Sequence, residues 1–179
     1  MIVMPERVVL RILAALNDAE VRFWVADGWG IDALMGRQTR RHSDLDLVLD
    51  QSGGDEERAR RVLANLGFRF ENVDAVGDSR LPRIVQLHDR GGRVVELLPV
   101  DLMSLPSAAR SDRPPSREAR PAGSDGRQNQ LFAVGRIGSR AVPCLAPAVQ
   151  LALHQGYDLT PSDRRDVALL CRRFGLAPP

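Results

Sequence analysis

Apolar residues recur along this chain with two different periods, and the switch between them marks out helices and strands. Val9, Ile12, Leu13 and Leu16 repeat at helical spacing, so an amphipathic helix is predicted after Pro5. Arg22 to Ala26 reads as a short strand. Asp27-Gly28-Trp29-Gly30 breaks the pattern, and a short helix through Ile31, Leu34 and Met35 is expected beyond it, ended by Gly36. Asp44 to Leu49 is extended. Ala59, Val62, Leu63 and Leu66 form a second helical stripe, closed by Gly67, and Phe68 to Asn72 is extended again. Ile84 to His88 and Arg93 to Val100 read as two strands joined across Asp89-Arg90-Gly91-Gly92.

From about Ser104 to Gln130 the pattern disappears. Pro, Ser, Gly and Arg dominate, which fits either a solvated linker or a substrate loop. Order returns with a hairpin, Leu131 to Ile137 and Ala141 to Cys144, turning at Gly138-Ser139. Pro147 opens a helix through Val149, Leu151 and Leu153. Thr160 caps a last helix whose inner face is Val167, Leu170, Cys171 and Phe174. The chain therefore divides into a core over residues 1–103, a Pro/Arg-rich loop or linker over 104–130, and a hairpin with C-terminal helices over 131–179 that completes the same domain.

Composition narrows the functional classes. With 179 residues, 44% of them hydrophobic and 27% charged, the chain can bury a core without disulfide or metal staples. A net charge of +2 argues against a nucleic-acid partner, which calls for a concentrated basic face. Every basic residue is Arg. Without Lys there is neither a Walker A phosphate loop nor a pyridoxal Schiff base. Cys144 and Cys171 are isolated, so no zinc site is expected, and Cys171 lies on an apolar helix face. No charged-then-apolar leader and no long apolar run appear, so the expectation is a cytoplasmic protein without a membrane partner.

The chemistry concentrates in Asp44-Leu45-Asp46-Leu47-Val48-Leu49. On a strand, Asp44 and Asp46 point to one face, where their mutual repulsion favours a cation between them. Carboxylate oxygens suit Mg²⁺. Taken alone, an Asp-x-Asp strand equally fits an edge with solvated acids. Upstream, the Gly-containing turn and short helix offer backbone N–H groups to phosphate. Arg40, Arg41 and His42 either contact a triphosphate or are solvated. Glu96 interrupts an apolar strand as a candidate third carboxylate, a metal ligand or a base, with Asp101 the fallback; an edge-strand Glu facing solvent is the plain alternative.

These residues carry a resemblance. Phe23-Trp24-Val25-Ala26-Asp27-Gly28-Trp29-Gly30-Ile31-Asp32, Gly36-Arg37-Gln38-Thr39-Arg40, His42 and Asp44-Leu45-Asp46-Leu47 resemble the lincosamide nucleotidyltransferases and the aminoglycoside 2″-adenylyltransferases. Val142-Pro143-Cys144-Leu145, Leu151, His154-Gln155-Gly156-Tyr157-Asp158-Leu159-Thr160 and Asp163 resemble the lincosamide branch more closely. The resemblance implies an α+β chain with the minimal nucleotidyltransferase fold of the polymerase β type: a mixed β-sheet flanked by helices, with a small C-terminal helical segment. It further implies transfer of AMP from ATP, with Mg²⁺, to a hydroxyl of a small molecule. A lincosamide acceptor comes first and an aminoglycoside second.

By position, Asp44 and Asp46 correspond to the metal pair, with Glu96 as third ligand or base. Gly28 and Trp29 match the nucleotide-side turn, and Arg40 and His42 the phosphate-proximal residues. His154 and Tyr157 fall in the C-terminal block and are candidates for the acceptor pocket, although a helix C-terminus also suits a His. Two departures stand out. The family's paired Gly is Asp27-Gly28, and its Asp with a following His is Glu96 with Leu98. They leave open an alternative, a catalytically degenerate nucleotide-binding or partner-regulated protein. Size and fold also allow a homodimer to complete the active site.

Overall fold

The computed structural model describes residues 2–74, 83–100 and 131–179. The described strands form one mixed sheet. The chain runs α1 (Glu6–Asp18), β1 (Phe23–Ala26), α2 (Asp27–Met35), β2 (Asp44–Asp50), α3 (Asp55–Asn65), β3 (Arg69–Asp74), β4 (Ile84–His88), β5 (Val94–Val100), β6 (Phe132–Ile137), β7 (Arg140–Leu145), α4 (Pro147–Leu153) and α5 (Pro161–Phe174). The sheet order is β3-β4-β5-β2-β1-β7-β6. β2 runs parallel to β5 and β1 parallel to β7, while the other neighbours are antiparallel. This is the expected α+β architecture.

Period-two alternation sorts each central strand between two faces. Leu45, Leu47 and Leu49 of β2, Val95 and Leu97 of β5, and Phe23 and Val25 of β1 join the main core with Ile12 and Leu16 of α1 and Ala59 and Leu63 of α3. The residues between them face the other way. Trp24, Val48, Leu98 and Leu145 form a smaller cluster there, against which Phe132, Val149 and Leu153 pack. Trp24 and Phe132 stack with centroids 4.1 Å apart, so Trp24 is a core residue. A third cluster, Ile31, Leu151, Val167 and Leu170, ties α2 to α4 and α5. Cys171 packs against that cluster, and Cys144 is buried, its thiol pushed up to about 12 by that burial.

The helix expected to begin after Gly30 begins at Asp27. Two glycines in the first turn count against helix on propensity, but tertiary packing overrides it here. A Cβ on Gly28 would lie 2.4 Å from His42 Nδ1, and one on Gly30 2.1 Å from Gln150 Nε2. The turn is built of glycine because other side chains occupy that space. Gly36 closes the helix at φ 70°, as the sequence leads one to expect. Thr160 caps α5 in a full capping box with Asp163. Asp101 and the 104–130 segment lie outside the described residues. No helix among the described residues is long and apolar enough to cross a membrane.

Candidate active site

Strand register assembles the centre. Asp46 of β2 stands opposite Ala26 of β1 on one side and Glu96 of β5 on the other, and Glu96 stands opposite Gln86 of β4. One row thus crosses four strands on the face away from the main core, with Asp44 two residues along β2. Gln86 Nε2 donates to Glu96 Oε1 at 2.9 Å, and the neighbouring Asp46 and Glu96 carboxyls are placed to share one proton. Asp46 is pushed well above the usual carboxylate range by burial first, then by the charges of Asp27, Asp44 and Glu96. Burial also raises Glu96, with Asp44 and Asp27 adding to it and the Gln86 and Asp46 hydrogen bonds opposing.

The antiparallel pairing that puts Ala26 beside Asp46 also brings the start of α2 to the carboxylates. The chain turns at Asp27 through φ 44°, and no local side chain caps the helix. The Asp27 N–H instead donates to Gln150 Oε1 of α4 at 3.0 Å. Arg40 lies over Gly28, and its Nε and Nη2 donate to Asp166 Oδ2 of α5 at 2.9 and 2.7 Å. His42 is buried beneath the turn. Its ring meets Trp29 with centroids 4.8 Å apart, and its Nε2 donates to Asp32 Oδ2 at 2.5 Å. Asp32 Oδ1 accepts from the Thr39 backbone and hydroxyl, so Asp32 anchors the loop as well as the helix.

Gly28 and Trp29 therefore sit in the first turn of α2, with Arg40 and His42 against it. Trp29 is buried in the main core and reaches this turn through its backbone. His154, at the end of α4, shares a 2.8 Å hydrogen bond between its Nδ1 and the Tyr157 hydroxyl, and its Nε2 lies 3.9 Å from Asp27 Oδ1. Tyr157 is 51% exposed, and its hydroxyl is pushed up to about 12 by burial, then by the charges of Asp163 and Asp27. His88, which has no evident partner in sequence, lies 3.1 Å from Glu71 and away from this group. Gln150 and Asp166 have no sequence signal of their own; only the spacing of Gly28 and Gly30 points to side chains pressed against that turn.

Among the described residues no group of three or more His, Cys, Asp and Glu is drawn together into a cage for an ion. The donor set still fits Mg²⁺, which is commonly held by one or two carboxylates with substrate phosphates completing the shell. Asp46 and Glu96 press two carboxyl groups together at raised proton affinity, which a divalent cation relieves.

The family model for aminoglycoside-2″-adenylyltransferase matches residues 8–170. A lincosamide resistance protein of Staphylococcus haemolyticus is 27% identical over 163 residues, covering 90% of this chain and 91% of its own. A 2″-aminoglycoside nucleotidyltransferase of Escherichia coli is 35% identical over 77 residues, covering 40% of this chain and 42% of its own. Among solved structures, a lincomycin-bound lincosamide antibiotic adenylyltransferase superposes with TM-score 0.68 at 26% identity, covering 94% of this chain and 97% of that one. The chain belongs to the aminoglycoside-2″-adenylyltransferase family and is a nucleotidyltransferase.

Proposed function

We propose that the protein transfers AMP from ATP, with Mg²⁺, to a hydroxyl of a small-molecule antibiotic, a lincosamide first and an aminoglycoside second. The observation that carries this reading is the Asp46–Glu96 register beside the start of α2. Asp44 and Asp46 would hold the ion, which when bound neutralises charge on the phosphates and orients them. The α2 N-terminus offers the Gly28 and Trp29 amides to the triphosphate, with Arg40 and His42 behind them. Glu96 either completes the metal shell or takes the proton of the acceptor hydroxyl; its raised proton affinity makes it a stronger base than an ordinary carboxylate. The acceptor would approach past His154 and Tyr157. The preference for a lincosamide is supported by near full-length similarity to the lincosamide resistance protein, against partial similarity to the aminoglycoside enzyme. A homodimer closing the acceptor side belongs to the same proposal, and sedimentation checks it.

The test is mass spectrometry of lincomycin, clindamycin and kanamycin incubated separately with protein, ATP and Mg²⁺. A product heavier by one AMP, lost in Asp46→Asn, supports the reading; near-normal turnover of that variant sinks it. A second reading rests on Asp27, a carboxylate at the phosphate turn: a nucleotide-binding protein without turnover. Mg·ATP binding with no product on any acceptor would favour it.

A further inference from the structure

Gln150 is 0% exposed and 123 residues from its partner in sequence, yet its Oε1 accepts the first N–H of α2. The first N–H groups of a helix have no partner inside it. Here one is satisfied from α4, while those of Gly28 and Trp29 come next along the turn. Gln150 also fixes the turn sterically. A Cβ on Gly30 would lie 2.1 Å from its Nε2 and 2.7 Å from the Val25 carbonyl oxygen, so the side chain is wedged against the backbone at the β1–α2 junction. Arg40 is held from α5 by Asp166, itself buried, with Nη2 2.9 Å from where a Gly28 Cβ would stand. Both edges of the turn are thus gripped by the C-terminal helices, which the Ile31, Leu151, Val167 and Leu170 cluster keeps against α2.

We propose that Gln150 is a positioning residue for the nucleotide: by capping Asp27 from α4 it aims the Gly28 and Trp29 amides at the triphosphate. This rests on the nucleotide reading of that turn. Gln150 meets the turn at the Asp27 N–H and at Gly30, on its backbone side, so its removal is expected to act on ATP rather than on the chemical step.

The experiment is steady-state kinetics of Gln150→Leu, which keeps the approximate volume and removes the acceptor oxygen. KM for ATP is expected to rise about tenfold, with kcat and the acceptor KM within about twofold. An unchanged ATP KM, or kcat and both KM values worsening together, would overturn the proposal. Hydrogen exchange of the wild-type chain gives an independent measure should Gln150→Leu fail to fold. The Asp27 amide should be protected with or without Mg·ATP, and those of Gly28 and Trp29 should gain protection only with it. An Asp27 amide that becomes protected only when nucleotide is added would also overturn it. If the wild-type chain binds no Mg·ATP and forms no product, the proposed function itself has failed; a working wild type with an indifferent Gln150→Leu refutes this inference alone.

Discussion

Asp46→Asn should make the metal-free protein more stable while abolishing transfer. Asp46 and Glu96 face each other across parallel strands, a spacing of about 4.8 Å. Two full charges about 5 Å apart at an effective dielectric constant near 20 repel by roughly 3 kcal/mol. The hydrogen bond between the two carboxyls relieves part of that, so a net gain of about 1–3 kcal/mol is expected from replacing one carboxylate by an amide that donates to the other. For a chain of this size that is roughly 2–12 °C in Tm.

The sign with pH follows from linkage. Asp46 and Glu96 have folded-state values above their ordinary 3.8 and 4.5. Between those ordinary values and the raised ones, the folded chain holds protons that the unfolded chain has released. Stability of the metal-free wild type therefore falls as pH rises through that window. The Asn variant loses much of this slope, so its advantage should be present at pH 7–8 and vanish towards pH 4. Thermal melts in EDTA at both pH values measure this, and added Mg²⁺ should stabilise the wild type more than the variant. A variant less stable than wild type in EDTA at pH 8 would refute the electrostatic reasoning.

Glu96→Gln should lower kcat by about 10²–10⁴ with Mg·ATP affinity nearly unchanged if Glu96 is the base; an equal loss of metal affinity, read by titration calorimetry, would make it a ligand instead. Gly30→Ala should cost about 1–3 kcal/mol in urea unfolding, because the added Cβ meets Gln150 and the Val25 carbonyl at 2.1 and 2.7 Å. Asp32→Asn leaves the buried His42 and the Thr39 amide with a weaker shared acceptor, and a loss of about 1–3 kcal/mol is expected in the same assay.

That Asp44 and Asp46 share one face, and that Glu96 breaks an apolar strand, was legible in sequence because each rests on a local rule. Period-two alternation sends Asp44 and Asp46 to the face opposite Leu45 and Leu47, and a lone Glu in Val94-Val95-Glu96-Leu97-Leu98 stands out in an apolar strand. That Asp46 and Glu96 sit in register is a property of strand order, which alternation alone does not fix. The start of α2 was misplaced because glycine propensity is a local quantity, while the packing that favours helix from Asp27 comes from His42 and Gln150. Gln150 and Asp166 were invisible for the same reason. Gln150 sits in the apolar run of α4 and Asp166 among the charges of α5, and neither shows its partner until the helices are placed against α2.

Under the proposed function, Asp27 is the departure that bears most directly on ATP. Its side chain is 47% exposed, and burial raises its carboxyl above the ordinary value, with His154 and Arg40 opposing and Asp166 and Asp44 adding. His154 and Arg40 thus draw part of its field away from the helix end, which explains how an acid is tolerated where phosphate should approach. The compensation is partial, since the same carboxylate contributes to the strain on Asp46. Asp27→Gly removes that charge and keeps the backbone at φ 44°, a conformation glycine adopts freely. It should therefore lower KM for Mg·ATP by about three- to tenfold with little change in kcat, measured at saturating acceptor. A rise in KM would instead mean that Asp27 binds substrate or metal, and that the partial compensation by His154 and Arg40 is not what makes it tolerable.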